Sequence, residues 1–263
     1  MDDPESVSQY DQGGATGHYF RAVYDLNARA LSALLPPGGS LLDFGTGSGR
    51  ALQHLLRGRP DIKVTGIDLS PVMLAAARAT GAGDSSFSSF GSVEFVEADI
   101  TSLPPDIVDR PWDAVSCLWT LHQLPGTDML VSALRQMERV RRHCGAALWI
   151  LDFQRLRNPA TMPALLDTLE PVYPPRLRAD GIASEAAAFR HSELRAALTT
   201  AGLADMRSST SRPLPHLQSF WAPPAPPFPS DRKAQRWQLE DLTGRARTDA
   251  RLLHRRFGHP GTL

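Results

Sequence analysis

The sequence feature that most constrains the fold is a glycine-rich turn that follows an apolar run. Residues 40–50 read SLLDFGTGSGR, so an apolar run leads into three alternate glycines, Gly45, Gly47 and Gly49. A helical pattern begins directly afterwards, at Arg50. Glycines in this position let the backbone turn sharply at the carboxyl end of a strand and let a ligand lie against bare peptide groups. The stretch therefore predicts a strand, a ligand-binding loop and a helix in succession.

Strand-like and helical patterns alternate along the chain as far as Phe153. An amphipathic helical pattern runs from Thr16 to Leu35 before the first strand. Because the strand-like runs are apolar on both faces, we expect a parallel sheet covered by helices on its two sides, a doubly wound α/β fold. The predicted strands are Ser40 to Phe44, Lys63 to Asp68, Val93 to Ala98, Trp112 to Leu118 and Ala146 to Phe153, and the predicted helices between them are Arg50 to Arg59, Pro71 to Thr80 and Met129 to Arg142.

The pattern changes after Phe153, where prolines break the chain into short helical pieces. A clearer helix is predicted from Ser192 to Ala201, with Ser192 as its N-cap. Two strands, Leu203 to Thr210 and Leu217 to Ala222, are joined by a turn that contains proline. We expect these two strands to form an antiparallel hairpin at one edge of the sheet.

A proline-rich segment ends this domain and introduces a helical tail. We assign residues 1–222 to the main domain, 223–230 to a stiff linker and 231–263 to an arginine-rich tail. The helical spacing of small and apolar residues in the tail predicts a helix. We expect this helix to pack on its own domain or on a second subunit in a homodimer, with its arginines in solvent. Contact of the arginines with RNA or an acidic partner is the alternative.

Composition excludes several classes of function. Lys plus Arg and Asp plus Glu number 28 each, so no overall field draws the chain to nucleic acid or to an anionic membrane. Cys117 and Cys144 lack a C-x-x-C spacing, so we expect neither a zinc ribbon nor an iron–sulfur cluster and predict no metal. The polar N-terminal residues and the lack of a long apolar stretch predict a cytoplasmic protein.

Two further acids follow predicted strands and complete a ligand-binding pattern. Asp68 ends the second strand, where a carboxylate can accept hydrogen bonds from both hydroxyls of a ribose. Asp99 follows the third strand, within reach of an adenine amino group. The dinucleotide fingerprint G-x-G-x-x-G would need a third glycine where Arg50 stands, which argues against NAD and FAD.

These motifs resemble those of class I S-adenosylmethionine-dependent methyltransferases, over residues 10–222 and most sharply over 41–124. The stretch WDAVSCLWTLHQL resembles that family's fourth strand and following loop, with Gln123 where many relatives carry a second histidine. The resemblance implies the Rossmann-like methyltransferase fold, with residues 1–39 as a lid and 153–200 covering the acceptor. It also implies S-adenosylmethionine as the cofactor, bound by Tyr19, Asp43, Gly45, Thr46, Gly47, Gly49, Asp68, Leu69, Met73, Asp99, Ile100, Leu118 and Trp119.

Two of the implied roles have structural alternatives. His122 is our candidate general base because histidine changes charge nearest neutral pH, but it could equally shape the loop. Tyr19 could cover the cofactor with its ring, but it also fits the core-facing stripe of the first helix.

The leading functional hypothesis is transfer of a methyl group to a small-molecule acceptor, such as a bacterial secondary metabolite, with the methylated element left open. An NAD-dependent short-chain reductase is set aside, because neither Lys63 nor Lys233 has a tyrosine four residues before it. A non-catalytic scaffold, or a methyltransferase that holds a protein or RNA through the tail, stays open as an alternative.

Overall fold

A computed structural model shows an α/β fold built on one twisted sheet. It describes residues 7–8, 11, 13, 17–82, 93–169, 174–212, 215–228 and 242–260. Within these residues the strands are β1 (Ser40–Phe44), β2 (Lys63–Asp68), β3 (Val93–Glu97), β4 (Ala114–Leu118), β5 (Ala147–Phe153), β6 (Arg207–Thr210) and β7 (Leu217–Ala222).

The helices alternate with the strands in the first part of the chain and cluster after β5. They are α1 (His18–Leu34), α2 (Arg50–Gly58), α3 (Pro71–Ala82), α4 (Pro105–Val108), α5 (Thr127–Cys144), α6 (Thr161–Leu169), α7 (Pro175–Ala187), α8 (His191–Thr200) and α9 (Gly244–Arg256), with a short 3₁₀ turn at Leu121–Gln123.

The order of strands in the sheet is β3-β2-β1-β4-β5-β7-β6. β1 lies between β2 and β4, and the pairs among β1 to β5 are parallel. β7 runs antiparallel to β5 and pairs with β6 at the edge. This arrangement confirms the predicted doubly wound, mostly parallel sheet with an antiparallel edge hairpin, and the chain order reverses at β1 and β4, where open α/β sheets form a ligand crevice.

Two apolar cores cover the two faces of the sheet. Neighbouring residues of one strand point to opposite sides, so Leu41 belongs to the core that contains α1 and α2, whereas Leu42 belongs to the core that contains α5 and α8. Trp149 is fully buried in the first core, where its indole Nε1 donates to Asn27 Oδ1 over 2.8 Å. The buried faces of the strands thus explain their continuous apolar sequences.

The C-terminal helix α9 packs against α1 in the first core. Leu242, Ala246, Ala250, Leu253 and Phe257 are buried there together with residues of α1. Residues 229–241, the end of the predicted linker and the start of the predicted tail, lie outside the described part. No helix in the described ranges is long and apolar enough to cross a membrane.

Two local predictions are wrong. The N-cap of α8 is Arg190, not Ser192, and the Glu193 carboxylate accepts a hydrogen bond from the Arg190 backbone N–H over 2.9 Å. The outer hairpin strand begins at Arg207, not Leu203, because the preceding residues form a turn in which Leu203 and Met206 fill the core. In both places a local hydrogen bond or a buried side chain outweighs the simple sequence pattern.

Candidate active site

A cleft of about 400 Å³ opens at the carboxyl ends of the central parallel strands. This volume lies within the range of about 300–1,000 Å³ that small-ligand pockets occupy. Most of the residues predicted to bind a cofactor line the cleft, whereas Gly49 and Tyr19 do not. The predicted residues found in its wall are Asp43, Gly45, Thr46, Gly47, Asp68, Leu69, Met73, Asp99, Ile100, Leu118 and Trp119.

The glycine loop supplies the floor of the cleft and needs left-handed backbone angles. Gly45, Gly47 and Gly49 have φ of 69°, 55° and 74°. A Cβ atom on Gly45 would lie 2.2 Å from Cγ2 of Thr120, whereas a Cβ on Gly47 would meet no atom within 4 Å. Gly49 instead faces Ala77 on α3 and serves the packing of the loop.

Backbone amides fix the carboxylate of Asp68 at the rim of the cleft. The Gly47 N–H donates to Oδ2 and the Ser70 N–H donates to Oδ1, each over 2.9 Å. The carboxylate is therefore tied to the glycine loop on one side and to the start of α3 on the other. Such a fixed acceptor can bind vicinal hydroxyls with little loss of side-chain freedom.

Asp99 stands on the neighbouring wall with one oxygen engaged. The Thr101 N–H and hydroxyl both donate to Asp99 Oδ1, over 2.8 and 2.7 Å. Ile100 is buried beside it and gives this end of the cleft an apolar surface. A carboxylate next to an apolar wall suits a heteroaromatic ring that carries an amino group.

Asp43 lies deepest among the acids of the cleft. Burial raises the pKa of Asp43 to about 6, and the nearby charge of Asp68 adds to that effect. The Ser116 hydroxyl opposes it by donating to Asp43 Oδ1 over 2.5 Å. A buried carboxylate of this kind is well placed to face a positive charge on a ligand, because the ligand would compensate the cost of ionisation.

Arg50, which occupies the position of the third glycine of a dinucleotide loop, tethers the N-terminal segment. Its Nε donates to Asp11 Oδ1 over 2.7 Å and its Nη2 donates to Asp11 Oδ2 over 2.6 Å. Arg50 also lines the cleft. No local sequence pattern links Asp11 to Arg50, so this contact is visible only in the structure.

A second cavity adjoins the cleft and shares Trp119 and Gln123 with it. It measures about 60 Å³ and lies under α6 and α7. Tyr19 and His122 face this second cavity rather than the first. The remaining wall is mostly aromatic and aliphatic: Phe20, Phe153, Met162, Leu166 and Leu177, together with Asp180, Gly181 and Ser184 of α7.

His122 and Asp152 form a buried pair in the wall of the second cavity. His122 Nδ1 lies 2.7 Å from Asp152 Oδ1, and the His122 backbone N–H donates to Asp152 Oδ2 over 3.1 Å. The carboxylate selects the tautomer with the proton on Nδ1, which leaves Nε2 as a hydrogen-bond acceptor. Asp152 was not among the predicted site residues, although its place near the end of β5 matches that of the other strand-end acids.

Trp119 separates the two cavities in an unusual backbone conformation. Its φ of 50° lies in the left-handed region that bulky residues rarely adopt. Its ring stacks on Phe153 at 5.3 Å and meets the edge of Phe20 at 5.3 Å. Strain of this kind persists only where surrounding contacts fix it, and it clusters at functional sites.

Residues 41–145 match a family model described as a methyltransferase domain. The match agrees with the resemblance to class I S-adenosylmethionine-dependent methyltransferases that the glycine loop and the strand-end acids carry. Its boundaries enclose β1 to β4 and the glycine loop, and therefore most of the larger cleft. No protein of curated function matches the chain in sequence.

Solved structures share the fold of the methyltransferase domain and its flanking elements. A SAM-dependent methyltransferase from Aquifex aeolicus is 20% identical with a TM-score of 0.56, over 84% of this chain and 98% of that one. The plantazolicin methyltransferase BpumL, solved in complex with SAH, is 15% identical with a TM-score of 0.57, over 82% and 88%. The mitomycin 7-O-methyltransferase MmcR is 19% identical with a TM-score of 0.51, over 76% of this chain and 53% of that one.

Proposed function

We propose that this methyltransferase domain transfers the methyl group of S-adenosylmethionine to a hydroxyl group of a small molecule. The observation that carries the proposal is the His122–Asp152 pair, which faces a cavity directly beside the cofactor cleft. Two of the structurally similar proteins are named as methyltransferases of natural products, plantazolicin and mitomycin, which supports a small-molecule acceptor here.

The residues of the larger cleft fit S-adenosylmethionine. We propose that Asp68 binds the ribose hydroxyls, that Asp99 and Ile100 meet the adenine, and that Leu69 and Met73 flank it. The open backbone at Gly47, where a Cβ would meet nothing, leaves room for the ligand to lie against the loop. The buried Asp43 carboxylate then faces the positively charged methionine end.

When bound, S-adenosylmethionine supplies a methyl group on a positively charged sulfur, which is already a good leaving group. His122 Nε2 would accept the proton of the acceptor hydroxyl and so make its oxygen the nucleophile towards that methyl group. Asp152 holds the ring and stabilises the imidazolium that forms. Alignment of the two reactants supplies most of the acceleration, because the electrophile needs no further activation.

Cofactor binding is tested by calorimetry with S-adenosylhomocysteine. We expect Asp68→Ala to weaken binding about a hundredfold, because a fixed carboxylate that accepts two hydrogen bonds is lost. Glu97→Ala is the matched control, since Glu97 is an exposed acid at the end of the next strand and lies outside the cleft wall. Absence of binding to the unmodified protein would contradict the proposed function.

The role of the His122–Asp152 pair is tested by a screen of hydroxylated aromatic acceptors with isotopically labelled cofactor, read by mass spectrometry. We expect His122→Gln and Asp152→Asn each to lower kcat about a hundredfold or more, with affinity for S-adenosylhomocysteine kept within about twofold. His191→Gln is the control, because His191 stacks on Phe220 away from both cavities. Equal loss of cofactor affinity would indicate a structural role for the pair.

A further inference from the structure

The second cavity carries one carboxylate, Asp180, which comes from a different element than the His122–Asp152 pair. Asp180 projects from α7 together with Ser184, whereas His122 and Gln123 come from the 3₁₀ turn after β4. The rest of the wall is mostly aromatic or aliphatic. A ligand in this cavity therefore meets both the imidazole of His122 and the carboxylate of Asp180.

Asp180 differs from the other acids of this region because it has no partner in the described part of the chain. Asp167 on α6 accepts a hydrogen bond from Arg178 Nε over 2.9 Å. Glu185 is buried and accepts from the Leu156 N–H, and Glu193 pairs with Arg155 over 2.7 Å. No hydrogen bond or ion pair among the described residues satisfies Asp180.

An acceptor that fills the cavity removes water from the half-buried Asp180 carboxylate. Loss of hydration costs free energy unless the incoming molecule supplies a hydrogen-bond donor or a positive charge. The adjoining rings of Trp119, Phe20 and Phe153 favour a cation, because the faces of aromatic rings attract positive charge. A carboxylate with aromatic neighbours therefore suits an ammonium group better than a neutral hydroxyl.

We propose that Asp180 determines substrate specificity by binding a cationic amine on the acceptor, so that the acceptor class is an aromatic alcohol or phenol that also carries a basic amine. This inference rests on the proposed methyl transfer and adds the charge of the substrate to it. The methylated hydroxyl lies at His122 and the ammonium lies at Asp180, with the ring between the aromatic side chains.

Three phenols that share the ring and a two-carbon chain, and differ in the group that ends the chain, test the inference: tyramine as the cation, 4-ethylphenol as the neutral form and 3-(4-hydroxyphenyl)propionate as the anion. Methylation of each is measured as kcat/KM at pH 7.5, and binding of each to the protein loaded with S-adenosylhomocysteine is measured by calorimetry. We expect wild type to favour tyramine over 4-ethylphenol by about tenfold to a hundredfold, and to disfavour the anion further.

Two variants in α6 and α7 separate the role of Asp180 from a general effect of charge. Asp180→Asn should remove the preference for tyramine and leave 4-ethylphenol unchanged. Asp167→Asn neutralises an exposed carboxylate on α6 that does not line the cavity, and it should keep the wild-type preference. Affinity for S-adenosylhomocysteine should stay the same in both variants, which shows that they fold.

The outcomes distinguish this inference from the proposed function. Equal use of the three phenols by wild type, a preference for the anion, or a preference that survives Asp180→Asn would overturn the role of Asp180. Failure of tyramine to bind while S-adenosylhomocysteine binds would overturn it as well. Failure of S-adenosylhomocysteine to bind would overturn the methyltransferase proposal itself.

Discussion

At the scale of single residues, the raised pKa of Asp43 predicts that cofactor affinity depends on pH. Burial raises the pKa of its carboxyl to about 6 in the folded protein. A cationic ligand beside it favours the ionised form, so binding must remove a proton when the pH lies below 6. We predict that affinity for S-adenosylmethionine falls by up to about tenfold for each pH unit below 6 and levels off above 7, as measured by calorimetry from pH 5 to 8.

The control for this pH dependence is Asp43→Asn, which keeps an acceptor for the Ser116 hydroxyl but cannot ionise. Its affinity should be low and nearly independent of pH. S-adenosylhomocysteine, which lacks the charge on sulfur, should show a weaker dependence in wild type. A steep pH profile that survives in Asp43→Asn would assign the titration to another group.

The raised pKa of Asp43 also predicts that the free energy of unfolding depends on pH. This dependence runs opposite to that of cofactor affinity, because stability falls as the pH rises. Because the folded pKa of Asp43 is raised above its unfolded value of 3.8, its contribution to the free energy of unfolding is fully present below about pH 3.8 and is lost as the pH rises through about 6. Relative to wild type, Asp43→Asn should therefore gain about 2 kcal/mol between pH 4.5 and pH 8. Urea unfolding of both proteins at the two pH values measures the difference, and a constant difference would contradict the burial of a neutral carboxyl.

At the scale of elements, the loop between β1 and α2 depends on two glycines in different ways. Gly45 needs both a left-handed φ and the space that the Thr120 side chain leaves, whereas Gly47 needs only the φ. We predict that Gly47→Ala lowers the free energy of unfolding by about 1–2 kcal/mol and that Gly45→Ala lowers it by clearly more. Urea unfolding compares the two variants, and equal losses would show that Thr120 moves aside without cost.

The sequence predicted those parts of the site that lie at the carboxyl ends of the first three strands. The glycine loop, Asp68 and Asp99 each follow a strand, so the order of the parallel strands brings them to one edge of the sheet. Asp152 meets His122 only because β5 pairs with β4, and Asp180 reaches the cavity only because α7 folds back over it. A sequence pattern carries no information on such pairings between distant segments, so these residues appeared only in the structure.

Tyr19 follows the core-facing interpretation of its helix and not the one in which its ring covers the cofactor. Its side chain is buried in the stripe of α1 that the periodicity predicts, and its hydroxyl bonds to His216 Nε2 near the edge hairpin. It also borders the second cavity rather than the cofactor cleft. The helix was predictable from spacing, but the cavity that it borders depends on how α6 and α7 close over its end.

At the scale of the whole molecule, α1 connects the site to the C-terminal helix. One end of α1 presents Phe20 and Tyr24 to the two cavities, and the next turn presents Asp25 to α9. Burial by itself would raise the pKa of Asp25, but hydrogen bonds with His254 and His54 and the charge of Arg29 hold it well below its usual range. The interactions of Asp25 with these three groups therefore contribute to the free energy of unfolding above the unfolded pKa of 3.8. This contribution is lost as the pH falls toward the folded pKa.

Two adjacent leucines of α9 test whether this helix is part of the fold. Leu253 is 9% exposed and packs on α1, whereas Leu252 is 52% exposed. We predict that Leu253→Ala lowers the free energy of unfolding by about 2–3 kcal/mol, because it leaves a cavity in the first core, and that Leu252→Ala changes it by less than about 0.5 kcal/mol. Urea unfolding at pH 7.5 measures both. Equal midpoints would mean that α9 does not support α1 in solution, and the walls that α1 gives to both cavities would then be held by the sheet alone.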